Sequence, residues 1–346
     1  MKKKVLIGMS GGVDSSTAAY LIKEQGYEVS GGLMKLWGEH ETAIRDAANI
    51  CEKLGIDFHV FDCRKEFQES VISYFIEEYK NGRTPNPCIM CNKKFKFGLF
   101  LDKADELGMD YIATGHYARI LKNENTGLFE LSISDALKKD QSYFLYNFTQ
   151  KQLSRTLMPL GDYSKPQIRE IAEKIGIDTA NKPDSQEICF VEDGDYAKFI
   201  EDFSNYLPTP GKIYDVNNNV LGEHKGLIYY TIGQRKGIGA YGRPMFVMKI
   251  NPADNSIVLG EKGMEFSSSL IAEDLNFISG KMPTEPISIL AKARYQATPC
   301  AATLTPIDNN TVRIDFSEPQ RAITPGQAVV FYLDNTVLGG GTINIF

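Results

Sequence analysis

The chain has 346 residues, a net charge of −6, 42% hydrophobic and 24% charged residues, and six cysteines; this is an ordinary composition with room for two or three domains. No stretch approaches the ~20 apolar residues of a membrane-spanning helix, the apolar run after Met1-Lys2-Lys3-Lys4 is too short for a signal peptide, and the cysteines are too sparse for a disulfide scaffold, so a cytoplasmic protein without a membrane partner is expected. The acidic balance excludes general coating of nucleic acid but leaves local basic patches, at residues 80–83, 93–96 and Arg235-Lys236.

Residues 1 to about 120 alternate strands and helices. Strands are predicted at 5–7, 27–34, 58–61 and 111–115, and helices at 15–25, 42–54, 65–79 and 93–107, with Gly55 and Gly108 as stop signals. Such alternation predicts an α/β fold with a doubly wound parallel sheet, which binds ligands at the carboxyl ends of its strands. Residues 121–150 read as a hairpin plus linker. Residues 153–177 read as a helical segment, with Ser164-Lys165-Pro166 as cap and first turn. Pro208-Thr209-Pro210-Gly211 marks a boundary. Short strands follow at 213–216, 245–250 and 257–259, then at 287–293, 301–304, 311–316, 328–333 and 337–343. Their spacing predicts a small β-rich domain and a β-barrel. The expected domains are 1–203, 204–262 and 263–346.

Three segments carry chemistry. Between the first strand and helix lies Gly8-Met9-Ser10-Gly11-Gly12-Val13-Asp14-Ser15-Ser16. Its glycines let the backbone approach an anion, the helix amides point at it, and the serines add hydroxyls. It is not a Walker A motif, because no lysine follows the second glycine. In the stiff loop Arg83-Thr84-Pro85-Asn86-Pro87-Cys88-Ile89-Met90-Cys91, Cys91 precedes the predicted helix beside lysines, where a thiolate is stabilised. Cys189 lies in the polar segment Asp184-Ser185-Gln186-Glu187-Ile188-Cys189-Phe190. Cys51, Cys63 and Cys300 read as small buried hydrophobes.

The loop SGGVDSS resembles the PP-loop of ATP pyrophosphatases. With RTPNPxxxCN, YIATGHYAR (111–119), KDQSYFL (139–145), DSQEICF (184–190), YTIGQRKG (230–237) and TPGQAV (324–329), the ordered set resembles the tRNA-specific 2-thiouridylase family over nearly the whole chain. The resemblance implies a sulfurtransferase that replaces the 2-oxygen of the wobble uridine of tRNA by sulfur, consuming ATP. It implies that Gly8, Met9, Ser10, Gly11, Gly12, Val13, Asp14 and Ser15 hold ATP phosphates, that Met34 and Gly115 line the adenosine site, and that Asp14 helps to position Mg²⁺. Cys189 would receive a persulfide from a sulfur-donor protein. Cys91 would attack the activated base, or release the sulfur by forming a transient disulfide with Cys189. Asn86, Pro87, Cys88, His116, Lys139, Asp140, Gln141, Arg294, Tyr295 and Gln327 would contact tRNA, whose wobble base must be splayed out of its stack.

Cys88 stands where many members of that family carry an aspartate, so an acid–base role is in doubt at this position. With Cys91 and Cys189 it supplies three thiolates that could hold a [4Fe–4S] cluster with one open iron, whereas zinc lacks an obvious fourth ligand. Rival readings are another PP-loop enzyme, such as an amidotransferase or a 2-thiocytidine synthase, and a nucleotide-dependent RNA-binding module without catalysis. An amidotransferase needs an ammonia-producing domain that the sequence does not suggest, and the thiocytidine enzymes arrange their cysteines in pairs.

Overall fold

The computed structural model describes residues 2–39, 41–177, 188–191 and 193–344; Asp184 to Glu187 of the second cysteine motif lie outside them. The first region carries β1 (Lys4–Gly8), β2 (Glu28–Lys35), β3 (Asp57–Asp62), β4 (Tyr111–Ala113), a hairpin of β5 (Arg119–Lys122) and β6 (Phe129–Ser132), and β7 (Thr156–Leu157). Five of these strands form a parallel sheet in the order β3-β2-β1-β4-β7. Side chains alternate across β1, and both faces are apolar. Val5 and Ile7 pack with the helices Val13–Glu24, Glu41–Leu54 and Lys165–Lys174. Leu6 packs on the other face with Phe97, Phe100 and Leu101. All three β1 side chains are fully buried, each worth about 1.5–3 kcal/mol.

Residues 87–106 form one continuous helical run. It starts as an α-helix (Pro87–Cys91), widens into a π-helix (Asn92–Leu99) and ends as an α-helix (Phe100–Glu106). Residues 64–80 repeat the device, with a π segment at Gln68–Ile72. The expected helix at 153–177 is instead divided. Gln150–Ser154 is helical, β7 joins the sheet edge, and Lys165–Lys174 forms after a break that contains Pro159 and Gly161.

The central region is a four-stranded sheet of β8 (Gly211–Asp215), β9 (Val220–His224), β10 (Met245–Asn251) and β11 (Ser256–Glu261), in the order β10-β11-β8-β9. The last region holds β12 (Phe266–Phe277), β13 (Ile287–Lys292), β14 (Cys300–Pro306), β15 (Val312–Arg321), β16 (Ala328–Leu333) and β17 (Thr336–Asn344). They run β12-β15-β14-β13-β16-β17, and β17 pairs back onto β12, closing a six-stranded barrel. β6 adds to the outside of β17, with Val337 opposite Leu131, so the hairpin of the first region is hydrogen-bonded to the barrel. Cys51 and Cys63 are buried as expected, but Cys300 is only half-buried, at the start of β14.

Candidate active site

β1 ends at Gly8, and the chain turns through Met9–Gly12 into the helix Val13–Glu24. Gly11 has φ +72°, a left-handed conformation natural to glycine, and a Cβ there would lie 3.0 Å from Asp46 Cβ and 3.1 Å from Ala43 O. Gly12 is the N-cap and no side chain caps the helix, so the first-turn amides keep their capacity for an anion. The hydroxyls brace the loop. Gly12 N donates to Ser10 Oγ (3.3 Å), Ser10 and Ser15 hydroxyls meet at 3.1 Å, and Ser15 and Ser16 donate to Gly12 O (3.1 and 2.8 Å).

The sheet order puts the ends of β1, β2 and β4 side by side, which brings the loop, Met34 and Gly115 to one edge. Gly115 lies so close that a Cβ on it would be 2.9 Å from both Asp14 C and Ser15 N. Asp14 is not free. Tyr117 Oη donates to its Oδ1 (2.7 Å), and Lys165 Nζ donates to both oxygens (2.9 and 2.8 Å). Nothing local in the sequence links Lys165 to this loop, because the pair is 151 residues apart.

Aromatic packing assembles the cysteine centre. Phe190, next to Cys189, is buried against Phe67 (5.9 Å), Phe75 (5.2 Å) and Phe199 (5.3 Å). Phe95, one helical turn beyond Cys91, meets Phe67 at 5.3 Å in the same cluster. Met34 packs against both this cluster and the one under β1, which ties the thiols to the nucleotide edge of the sheet.

Cys91 does not occupy a helix start. Asn86 Oδ1 accepts from Ile89 N (3.3 Å) and caps the helix there. Cys91 is therefore a turn inside, only 8% exposed, and burial pushes its thiol up to about 12. The expectation of a stabilised Cys91 thiolate is thus overturned by burial. Cys88 and Cys189 are exposed but recessed among surrounding groups, and this desolvation raises both thiols too. The Lys96 ammonium acts on all three thiols in the opposite sense. In a regular α-helix Lys96 would point about 140° away from Cys91. The π segment instead stacks the fifth residue over the first.

The residues expected to contact tRNA divide into two groups. His116 is buried, bonded to Thr114 Oγ1 (2.8 Å) through Nδ1, and desolvation holds it well below the usual imidazole range, so it is neutral. Asp140 accepts from Ser134 N (3.0 Å) and Ser142 Oγ (2.7 Å), and Gln141 Oε1 accepts from Tyr117 N (3.0 Å). Arg294 donates to Ala322 O (2.5 Å), Thr324 Oγ1 (2.6 Å) and Ile232 O (3.3 Å). Gln327 Nε2 donates to Thr84 O (2.8 Å) and Pro85 O (3.2 Å), and Thr84 N donates to Pro325 O (2.8 Å). His116, Asp140 and Gln141 thus bond within the first region, whereas Arg294 ties the barrel to the segment at Ile232 and Gln327 ties the barrel to the cysteine loop. Tyr295 packs at a tilt against Phe144 at 4.4 Å, Lys139 ends the turn Leu137–Lys139, and Cys88 remains exposed beside buried Pro87. A cavity of about 380 Å³, lined in part by Arg83, Asn86, Met90 and Lys93, opens between this loop and the barrel.

Among the described residues no three His, Cys, Asp or Glu side chains gather as metal ligands. The three thiols therefore do not form a ready cluster site. Nucleotide and Mg²⁺ fit better. The loop leaves amides for phosphates, and Asp14, with its side chain 29% exposed, offers the single carboxylate that Mg²⁺ commonly takes beside substrate phosphates.

Residues 3–193 match a family model described as "tRNA methyl transferase HUP domain", residues 197–261 "tRNA methyl transferase PRC-barrel domain", and residues 267–343 "Aminomethyltransferase beta-barrel domain". The chain is 52% identical over 355 residues to a protein of Clostridioides difficile (strain 630) named tRNA-specific 2-thiouridylase MnmA, covering 99% of this chain and 98% of that one. It is 51% identical over 356 residues to "tRNA-specific 2-thiouridylase MnmA 1" of Clostridium botulinum (strain Loch Maree / Type A3), covering 99% of each. With "tRNA-specific 2-thiouridylase MnmA" of Clostridium perfringens (strain ATCC 13124) it shares 50% identity over 355 residues, covering 99% and 98%.

Proposed function

This chain belongs to the tRNA-specific 2-thiouridylase family, and we propose that it converts the wobble uridine of tRNA to 2-thiouridine through an adenylated base and a cysteine persulfide. The observation that carries the reading is an exposed thiol, Cys189, near enough to buried Cys91 for its charge to act on it, with Cys91 in the cluster that Met34 joins to the PP-loop edge of the sheet. The "methyl transferase" wording of the domain descriptions gives no role to this pair, whereas sulfur transfer uses both members.

In the first step the uridine O2 attacks the α-phosphorus of ATP. The α–β phosphoanhydride bond breaks and pyrophosphate leaves. The loop amides and serine hydroxyls hold its charge. Mg²⁺ held through Asp14 and the phosphates would neutralise more of it. In the second step the terminal sulfur of a Cys189 persulfide attacks C2, and AMP departs with the electrons of the C2–O bond. Cys189 faces solvent, where a donor protein can load it. Cys91 is shielded, which protects it from adventitious oxidation. Attack of Cys91 sulfur on Cys189 Sγ then forms the Cys91–Cys189 disulfide and leaves the new sulfur on C2; a cellular dithiol reduces the disulfide. The alternative ending, release of hydrosulfide that attacks C2, uses the same two cysteines.

The test is incubation with unmodified tRNA bearing a wobble uridine, ATP, Mg²⁺ and a persulfide-carrying sulfur donor, followed by nucleoside mass spectrometry. The expected product is 2-thiouridine, dependent on ATP and lost in Cys189→Ser and in Cys91→Ser, with ATP binding intact in both variants. Thiolation retained in either variant refutes its assigned role. No product under aerobic and anaerobic conditions alike moves the chain to another PP-loop substrate.

A further inference from the structure

No lysine or arginine occurs between Lys4 and Lys23, so the phosphate loop supplies no cation of its own. It does supply a carboxylate, Asp14, in the first turn of its helix. A carboxylate there repels the several negative charges of a polyphosphate unless a cation offsets it.

The fold delivers a cation from elsewhere. Lys165 Nζ lies 2.9 and 2.8 Å from the two Asp14 oxygens, and its side chain is only 11% exposed. It does not hang from a loose loop. Lys165 is the first residue of the helix Lys165–Lys174, which Ser164 and Gln167 cap reciprocally and Pro166 stiffens. Ile168 and Ala172 of that helix are buried in the same core as Val13 and Ala18 of the loop helix. The ammonium is thus fixed against the phosphate loop by packing of the two helices. The Tyr117 ring lies 5.9 Å from Nζ, while Tyr117 Oη bonds Asp14 Oδ1 and can hold the carboxylate when the lysine moves.

We propose that Lys165 is the phosphate-binding cation of this site, resting on Asp14 in the empty chain and passing to a polyphosphate oxygen when nucleotide enters. The exchange leaves Asp14 free for Mg²⁺, so each charge finds an opposite partner before and after binding. It gives a chain without a Walker lysine the function of one, from a helix 151 residues downstream. The proposal rests on the nucleotide-site reading above.

Calorimetric titration of the full chain separates this from a structural strut. Lys165→Met is expected to weaken ATP and pyrophosphate by about ten- to hundredfold, the usual effect of losing a charged hydrogen bond, while adenosine affinity stays within about twofold. Lys165→Arg is expected to keep most of the ATP affinity. Asp14→Asn, which removes the carboxylate charge facing the ammonium, is expected to raise pyrophosphate affinity in the absence of Mg²⁺, where a strut requires a fall. Wild-type affinity of Lys165→Met for pyrophosphate overturns the proposal. So does a parallel loss of all three ligands with a lowered melting temperature. A wild-type chain that binds no ATP overturns the nucleotide-site reading itself.

Discussion

Gly115→Ala isolates one contact on which the nucleotide site depends. The added Cβ would stand 2.9 Å from Asp14 C and from Ser15 N, and both are backbone atoms that cannot swing aside. Moving from 2.9 Å to ordinary contact at 3.4 Å requires the helix start, or the turn after β4, to retreat by about 0.5 Å. Overpacking of this kind costs about 1–3 kcal/mol. The larger effect is on geometry, because the displaced atoms belong to the helix start proposed to hold the phosphates. ATP affinity is expected to fall at least tenfold, since small misplacements at a binding centre are costly. The assay is calorimetric ATP titration beside thermal unfolding of the empty chain. Gly8→Ala is the stability control, because its Cβ would meet nothing closer than 3.7 Å. If Gly115→Ala binds ATP like wild type and melts like Gly8→Ala, the close approach is not a constraint and the reasoning fails.

Three further outcomes are expected. Burial raises Cys91 to about 12, so the folded chain retains a proton that the unfolded chain releases above the ordinary thiol value of about 8.5. Stability from this group is intact below about pH 8.5 and falls as pH rises toward 12. In parallel, iodoacetamide labelling of Cys91 should stay negligible through about pH 9, and labelling as fast as that of Cys189 at neutral pH contradicts the burial. Lys96→Met removes the cation that opposes the raised Cys189 thiol and should slow its alkylation at neutral pH, with Lys96→Arg restoring it and half-buried Cys300 unchanged; peptide mass spectrometry reads each site. Gln327→Leu removes both donors to Thr84 O and Pro85 O, a loss of about 1–3 kcal/mol if either carbonyl stays dry. Residues 84–91 should then exchange their amides faster and turnover should fall with ATP affinity unchanged; an unaltered exchange pattern removes Gln327 from this role.

What the sequence revealed was local. The phosphate loop is legible because a strand, a Gly/Ser turn and a helix start are contiguous and their chemistry lies in backbone groups. The alternation of Val5, Leu6 and Ile7 likewise announces a strand buried on both faces. What it concealed was non-local. Cys91 reads as reactive from its neighbouring lysines, yet its environment is set by Phe67 and Phe190, which no spacing rule connects to it. Asp14 and Lys165 belong to different motifs and meet only when two helices pack. Strand β12 escaped notice because Ser267–Ser269 and Glu273–Asn276 break its alternation. Those are the places where its register slips, and Asp274 adopts φ +51°. Arg294 and Gln327 show a related gap, because their internal hydrogen bonds to Ala322, Thr324, Thr84 and Pro85 cannot be read from the motifs that suggest a substrate contact.

The pairing of β6 with β17 sets an order of assembly. Residues 129–132 present an open strand edge as soon as they are made, but their partner at 336–337 is synthesised some two hundred residues later. The same late strand closes the barrel through β12 and β16. Until it arrives, the hairpin and both barrel edges are unpaired templates for other chains. At ribosomal speeds of about 5–20 residues per second, that exposure lasts roughly 10–40 s. One late strand thus seals the barrel and shields the hairpin, so a ribosome stalled before residue 336 would leave a chain with a nearly complete nucleotide sheet and three adhesive edges.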